Sequence, residues 1–247
     1  MKNIRLSIVA FGFLILTTLS TVSYSETVYL TSLEWPPYSD DTLPSQGASV
    51  AVAKAAFEAM GHTLVVEFYP WSRAVALAKD SSKYAGYFPE YYYDSDEFIF
   101  SDPMGQGPLG FVEAKAKPIT WNTLKDLTPY TIGVVQDYVN TEELDNMIAA
   151  GELKSSAVTS DSQNILKVAS GRVNLAVIDS NVLKYLLTND PKLKSTTDKV
   201  QMNGKLLVEK DLFVAFKNDA NGSKWQSILN EGLKKIDVQA IMSQYIK

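Results

Sequence analysis

Hydrophobic positions along the chain switch between short β-type runs and helical spacing, the alternation that builds α/β layers on largely parallel sheets. Thr27 to Thr31 predicts a first strand. Ala48 to Met60 predicts a helix whose Val50, Ala53, Phe57 and Met60 share a face before Gly61 ends it. Thr63 to Phe68 is a second strand, Trp71 to Lys79 a short helix, and Tyr84 to Phe88 a third strand leading into the acidic, aromatic loop Glu90 to Glu97. The second half repeats this grammar. Thr131 to Val135 reads as a strand, and Asn140 with Glu143 reads as a capping box for a helix that buries Leu144, Met147 and Ile148. Ser160 with Gln163 caps the next helix, which carries Ile165, Leu166 and Ala169 and closes at Gly171. Val173 to Ile178 is almost continuously apolar, as a strand inside a parallel sheet would be. Leu206 to Phe216 reads as one long β-rich run. Ser223 with Gln226 then caps a final amphipathic helix through Trp225, Ile228, Leu229 and Leu233. The pattern predicts two α/β lobes without tandem repeats.

The N-terminal stretch follows a different rule. Lys2 and Arg5 precede apolar Leu6 to Leu16, then come Thr17, Thr18, Ser20 and Thr21, with Ser23 and Ser25 at minus three and minus one from a cut before Glu26. The run is shorter than the roughly 18 to 20 apolar residues of a membrane span. Residues 1–25 therefore read as a secretory signal cleaved near Ser25 and Glu26, with a retained membrane anchor as the alternative. Cleavage would leave the rest in the periplasm with no direct membrane anchor, and no Cys follows the run to carry a lipid.

Composition narrows the chemistry. Across 247 residues, 46% hydrophobic, there are 23 Lys+Arg against 28 Asp+Glu. Removing Lys2 and Arg5 leaves 21 against 28, a net of −7, so nucleic acid is a poor partner. With no Cys and the single His62, thiolate nucleophiles, iron–sulfur clusters and most metal sites are excluded, and the chain offers no Walker loop or nucleophile elbow. Asp94-Ser95-Asp96 starts like a calcium loop, but Phe98 stands at the third ligand position and no glycine follows at the sixth. Neither a metal nor a cofactor is expected.

The order and spacing of several short motifs carry a resemblance. They are Glu34-Trp35-Pro36-Pro37-Tyr38 after the first strand, Pro70-Trp71-Ser72-Arg73-Ala74, Phe100-Ser101-Asp102-Pro103, Leu124-Lys125-Asp126-Leu127, Ile132-Gly133-Val134, and Gly171-Arg172-Val173-Asn174 through Asp179. Together they resemble the bacterial extracytoplasmic solute-binding proteins of family 3, the polar amino acid type with the type II periplasmic binding protein fold. The resemblance implies two lobes joined by two crossing strands, each lobe a mixed, largely parallel sheet flanked by helices. Residues 26–110 and 212–247 would form the first lobe and 111–211 the second, with hinge closure on a small solute.

In such sheets ligands sit beyond the carboxyl ends of the strands. Glu34, Trp35 and Tyr38 follow the first strand, where Trp35 either packs under its loop or stacks on a ligand. Arg73, at a helix start, either anchors an anion in a two-pronged grip or is a solvated charge, or pairs with Asp80 or Glu67. Tyr87, Glu90 and Tyr138 join them. Asp179 stands where the family places an acidic partner for a ligand amino group, and it also suits an N-cap. Tyr91 to Tyr93 either join the cleft or pack at the surface.

Two family elements are missing. Asp94 stands where members that bind standard amino acids carry an arginine, and Asp137-Tyr138-Val139-Asn140 replaces their Gly-Thr-Ser or Gly-Thr-Thr motif. The cleft therefore reads as acidic and aromatic, suited to amines, oligoamines or short peptides as well as to amino acids. The resemblance implies a monomeric binding protein that serves an inner-membrane ABC permease. Alternatives are a sensing module for a membrane receptor or a dehydratase using Glu90 or Asp179 as acid or base.

Overall fold

The computed structural model describes residues 25–246, so most of the signal-type segment lies outside the described residues. From the N-terminal side come β1 (Thr27–Ser32), α1 (Ala48–Ala59), β2 (Thr63–Phe68), α2 (Trp71–Asp80), β3 (Gly86–Glu90) and β4 (Phe98–Phe100). The middle contributes β5 (Gln106–Ala114), β6 (Thr131–Val135), α3 (Glu142–Ala149), β7 (Lys154–Val158), α4 (Asp161–Ala169), β8 (Leu175–Asp179), α5 (Ser180–Asn189), β9 (Val200–Met202) and β10 (Val208–Asp211). The chain ends with β11 (Phe213–Lys217), α6 (Ala220–Leu233) and α7 (Val238–Tyr245).

Two sheets organise these elements. The first runs β2-β1-β3-β11-β4 and the second β10-β5-β8-β6-β7, with β9 beside β5. Each is mixed. In the first, β1 is parallel to β2 and β3, and β11 returns antiparallel between β3 and β4. In the second, β6 is parallel to β7 and β8, whereas β5 is antiparallel to β8, β9 and β10. Strand β8 is buried at all five residues, as its unbroken apolar run requires, with one parallel and one antiparallel neighbour.

The chain passes between the sheets twice, side by side. Residues 101–105 lead out, and Leu212 alone separates β10 from β11 on the way back. Hydrogen bonds tie the two passages: Met104 N donates to Leu212 O at 2.8 Å, Leu212 N to Gly105 O at 2.8 Å, and Ser101 N to Val214 O at 3.0 Å. Gly105 has φ +143°, and a Cβ there would lie 2.6 Å from Met242 Cε on α7. The run Leu206 to Phe216, read from the sequence as one strand, is thus two strands in two different sheets.

Other local expectations shift for identifiable reasons. Helix α3 is capped by Thr141, whose side chain accepts from Leu144 N, while Asn140 instead hydrogen-bonds Asp145. Helix α6 starts ahead of Ser223, because Asp219 has extended backbone and its carboxylate accepts from Gly222 N at 2.7 Å. Strand β3 lies two residues later than the sequence suggests; at Gly86 a Cβ would meet Ala215 O at 2.2 Å, where β11 crosses close by. Leu166, expected on the buried face of α4, is exposed. Ser160 does cap α4, and Gly61 and Gly171 end α1 and α4 with positive φ. Among the described residues no helix is long and apolar enough to cross a membrane.

Helices α1 and α6 approach closely at Gly232, where a Cβ would lie 2.1 Å from Ala56 O. Replacing Gly232 by Ala should lower unfolding free energy by about 1–3 kcal/mol through overpacking, read by urea denaturation. Gly204→Ala, with no atom near its Cβ position, should be near neutral in the same assay.

Candidate functional site

The carboxyl ends of β1, β2, β6 and β7 face one cavity of about 290 Å³. The loop after β1 supplies Leu33, Glu34, Trp35 and Pro36, and the β2 to α2 turn supplies Phe68, Tyr69, Pro70 and Trp71. Tyr138 follows β6, Thr159 to Ser162 follow β7, and Val182 and Leu186 come from α5. A second cavity of about 30 Å³ is lined by Leu33, Trp35, Trp71, Pro89, Glu90, Tyr91, Tyr138, Val139 and Leu212. Leu33, Trp35, Trp71 and Tyr138 border both. Among the described residues no Lys, Arg or His lines either one.

Asp161 is the charged side chain of the larger cavity that is deeply buried. Burial drives its carboxyl up to about 7; the Asp179 charge adds to the rise, and the Trp35 side chain works against it. Glu90 occupies the smaller cavity. It accepts from Tyr91 N at 2.7 Å and Tyr87 Oη at 3.3 Å, and burial lifts it to about 8 despite those bonds and the Lys210 charge. The Tyr91 hydroxyl is buried without a hydrogen-bond partner.

The residues expected at the site separate into three groups. Glu34, exposed at the rim, and Trp35 and Tyr138 line the larger cavity, and Trp35, Tyr138 and Glu90 line the smaller one. Tyr38, Tyr87 and Asp179 are buried and border neither. Tyr87 is held by Trp71 and Phe98 edge-on and by the Tyr93 hydroxyl at 2.9 Å. Arg73 is exposed outside the cavity with its guanidinium 5.4 Å from the Tyr69 ring, and it pairs with neither Asp80 nor Glu67, the latter being held by Lys83 and by the Tyr69 and Tyr84 hydroxyls.

Tyr38 and Asp179 meet each other instead of an open cleft. The Tyr38 hydroxyl donates to Asp179 Oδ2 at 3.0 Å and accepts from Asn181 Nδ2 at 2.8 Å, while Asp179 Oδ1 accepts from Asn181 N and Val182 N as the N-cap of α5. Asp179 thus accepts from Tyr38 through Oδ2 and from the first turn of α5 through Oδ1. Burial raises this carboxyl to about 7. A second contact between the sheets' loops joins α2 to the β6 loop: Trp71 Nε1 donates to Asp137 O at 3.0 Å, and Ser72 Oγ to Asp137 Oδ2.

Asp161, Trp71 and Tyr69 are among the cavity residues that sequence reasoning did not single out. Thr159 to Gln163 reads as a helix cap, and β7, which aims this segment at the cavity, is a polar edge strand without an apolar signature. Trp71 lies within a motif quoted for the family resemblance, which was the available signal. Among the described residues no group of three or more His, Cys, Asp or Glu is arranged to hold a metal ion.

This architecture has many solved counterparts. A histidine kinase sensor domain described as similar to periplasmic binding proteins superposes with TM-score 0.74 at 16% identity, covering 89% of this chain and 96% of that one. An ancestral arginine-binding protein bound to arginine gives 0.72 at 18%, covering 90% and 98%. The amino acid ABC transporter substrate-binding protein AbpA from Streptococcus pneumoniae, bound to L-arginine, gives 0.70 at 15%, covering 89% and 94%. No family model and no curated protein matches the sequence. The chain has the two-lobed fold of type II periplasmic binding proteins.

Two outcomes follow from the buried carboxyls. Their folded-state pKa values lie above the unfolded ones near 4, so the folded chain holds protons that the unfolded chain has released. Stability should therefore fall as pH rises from about 4 to about 8 and level off beyond. Glu67, held down near 2 first by Lys83, acts only below that window. Denaturant midpoints of the ligand-free protein between pH 5 and 9 should show the decline, and the double variant Glu90→Gln, Asp161→Asn should reduce it to the part that Asp179 contributes; a rising profile would mean the carboxyls are compensated. Separately, Tyr38→Phe leaves Asp179 Oδ2 and the Asn181 amide unpaired, an expected loss of about 1–3 kcal/mol in urea unfolding.

Proposed function

We propose that this is a periplasmic solute-binding protein that closes its two lobes on a small amine-bearing solute and delivers it to an inner-membrane ABC permease. The expected boundary at 110/111 falls inside β5 of the second sheet, so one lobe is residues 26–100 with 213–247 and the other 106–211, with the paired passages at 101–105 and Leu212 as the hinge. The observation that carries the amine assignment is Asp161, a buried carboxylate in an aromatic-walled cavity that no basic side chain lines. Leaving a carboxylate buried without a cation is costly, and an ammonium group supplies the missing charge. Trp35, Trp71 and Tyr138 add aromatic surface suited to a cation. The arginine held by two structural neighbours is itself cationic, which supports the class without naming the solute.

Arg73 does not act as a substitute carboxylate anchor in this reading, since it lies outside the cavity. Binding is favoured over dehydration because Asp179 borders neither cavity and Glu90 sits in a space of about 30 Å³. The likeness to a histidine kinase sensor domain supports a second reading, in which the same closure signals to a membrane receptor. Stimulation of a reconstituted permease's ATPase by the loaded protein separates the two.

Thermal-shift screening against amines, amino acids, sugars and carboxylic acids tests the solute class. An amine at a hundred times its Kd should add about 2.7 kcal/mol of stability. Asp161→Asn should weaken that binding by about 1.5–3 kcal/mol. Stabilisation by sugars or carboxylic acids alone would overturn the assignment.

A further inference from the structure

The larger cavity and the smaller one adjoin through a common border of Leu33, Trp35, Trp71 and Tyr138. Each holds one deeply buried carboxylate, Asp161 in the larger and Glu90 in the smaller. The smaller space, about 30 Å³, exceeds the roughly 10–15 Å³ needed for a water-sized group and falls far short of a whole solute. An ammonium head is water-sized. Its lining also suits one, with the aromatic residues Trp35, Trp71 and Tyr91 around it.

We propose that Glu90 and its aromatic pocket form a second ammonium subsite, so that the solute is a linear diamine with one head on Asp161 and the other on Glu90. This rests on the reading that the larger cavity takes an amine. The carbon chain between the heads passes along Trp35, Trp71 and Tyr138, where methylene groups meet ring faces. A ligand carrying an α-carboxylate is disfavoured, because neither cavity offers it a cation.

The charged and titratable neighbours agree with this assignment. Glu90 is faced by Tyr87, Tyr91, Tyr93, Tyr138 and Lys210. Lys210, on β10, is the one cation among them. It lies 4.9 Å from the Tyr91 ring centre, and its charge and that of Glu90 favour each other's ionised forms, but the two make no ion pair among the described residues and Lys210 does not line the smaller cavity. Asp161 is faced by Trp35, Tyr91, Tyr138 and Asp179, none of them cationic. Burial holds both acids protonated near pH 6, and an arriving ammonium favours the ionised form. Binding of a diamine must then expel a proton from each.

Isothermal titration calorimetry at pH 6, in two buffers of different ionisation enthalpy, reads affinity and proton release together. The probes are 1-butylamine and the unbranched α,ω-diamines from three to six carbons. For at least one chain length the diamine should bind tenfold or more tightly than the monoamine and release about one further proton. Glu90→Gln should bring the diamine down to the monoamine's affinity and abolish the extra proton. If that variant fails to fold, the difference in proton release on the wild-type protein decides. Equal affinity and equal proton release for mono- and diamines would overturn the second subsite while leaving the amine reading intact. Absence of binding by any amine would overturn both.

Discussion

Asp179 is a carboxylate buried where the two sheets' loops meet, with no cation beside it, and much of the local structure answers to that burden. Its Oδ1 is satisfied by the first turn of α5 and its Oδ2 by the Tyr38 hydroxyl, which in turn takes a bond from Asn181. That arrangement draws the β1 loop against α5. Trp35 then stacks on Tyr38 with ring centroids 4.6 Å apart, and its other side becomes cavity wall. The backbone complies as well: a Cβ at Gly107 would lie 2.1 Å from Asp179 Oδ2 and 2.4 Å from Tyr38 Oη, so only glycine fits there. Three chain segments remote in sequence are held by one acid.

The same scarcity of positive charge governs the cavities. Aromatic walls exclude water and strengthen whatever electrostatic interaction remains, so an unpaired acid inside them discriminates between solutes first by charge. Asp161 and Glu90 are both raised toward neutrality by burial, and both border rings that favour a cation. The Trp71 to Asp137 hydrogen bond closes the opposite edge, and Trp71 serves at once as wall and latch.

Strong local periodicity made α1, β2, β6 and β8 legible from the chain alone, because each buries a consistent face against its neighbours. Strand β7 was not legible: Lys-Ser-Ser-Ala-Val at a sheet edge stays mostly exposed and carries no apolar alternation. With β7 unseen, Asp161 looked like part of a cap rather than a residue at a strand's carboxyl end. Tyr38 and Asp179 were visible as candidates, yet their mutual bond spans 141 residues and no local pattern encodes it. The break at Leu212 was hidden for a related reason. Both sides of it favour strand, and only the distant partners β5 and β3 decide which sheet each side joins.

That break also imposes an order of assembly during synthesis. Every strand of the second sheet lies between Gln106 and Asp211, so the middle of the chain can complete its sheet as soon as it has left the ribosome. The first sheet cannot do the same. Strand β11 sits inside it, between β3 and β4, and β11 follows every strand of the second sheet in the chain. The N-terminal strands, made earlier, complete their sheet only when β11 joins them.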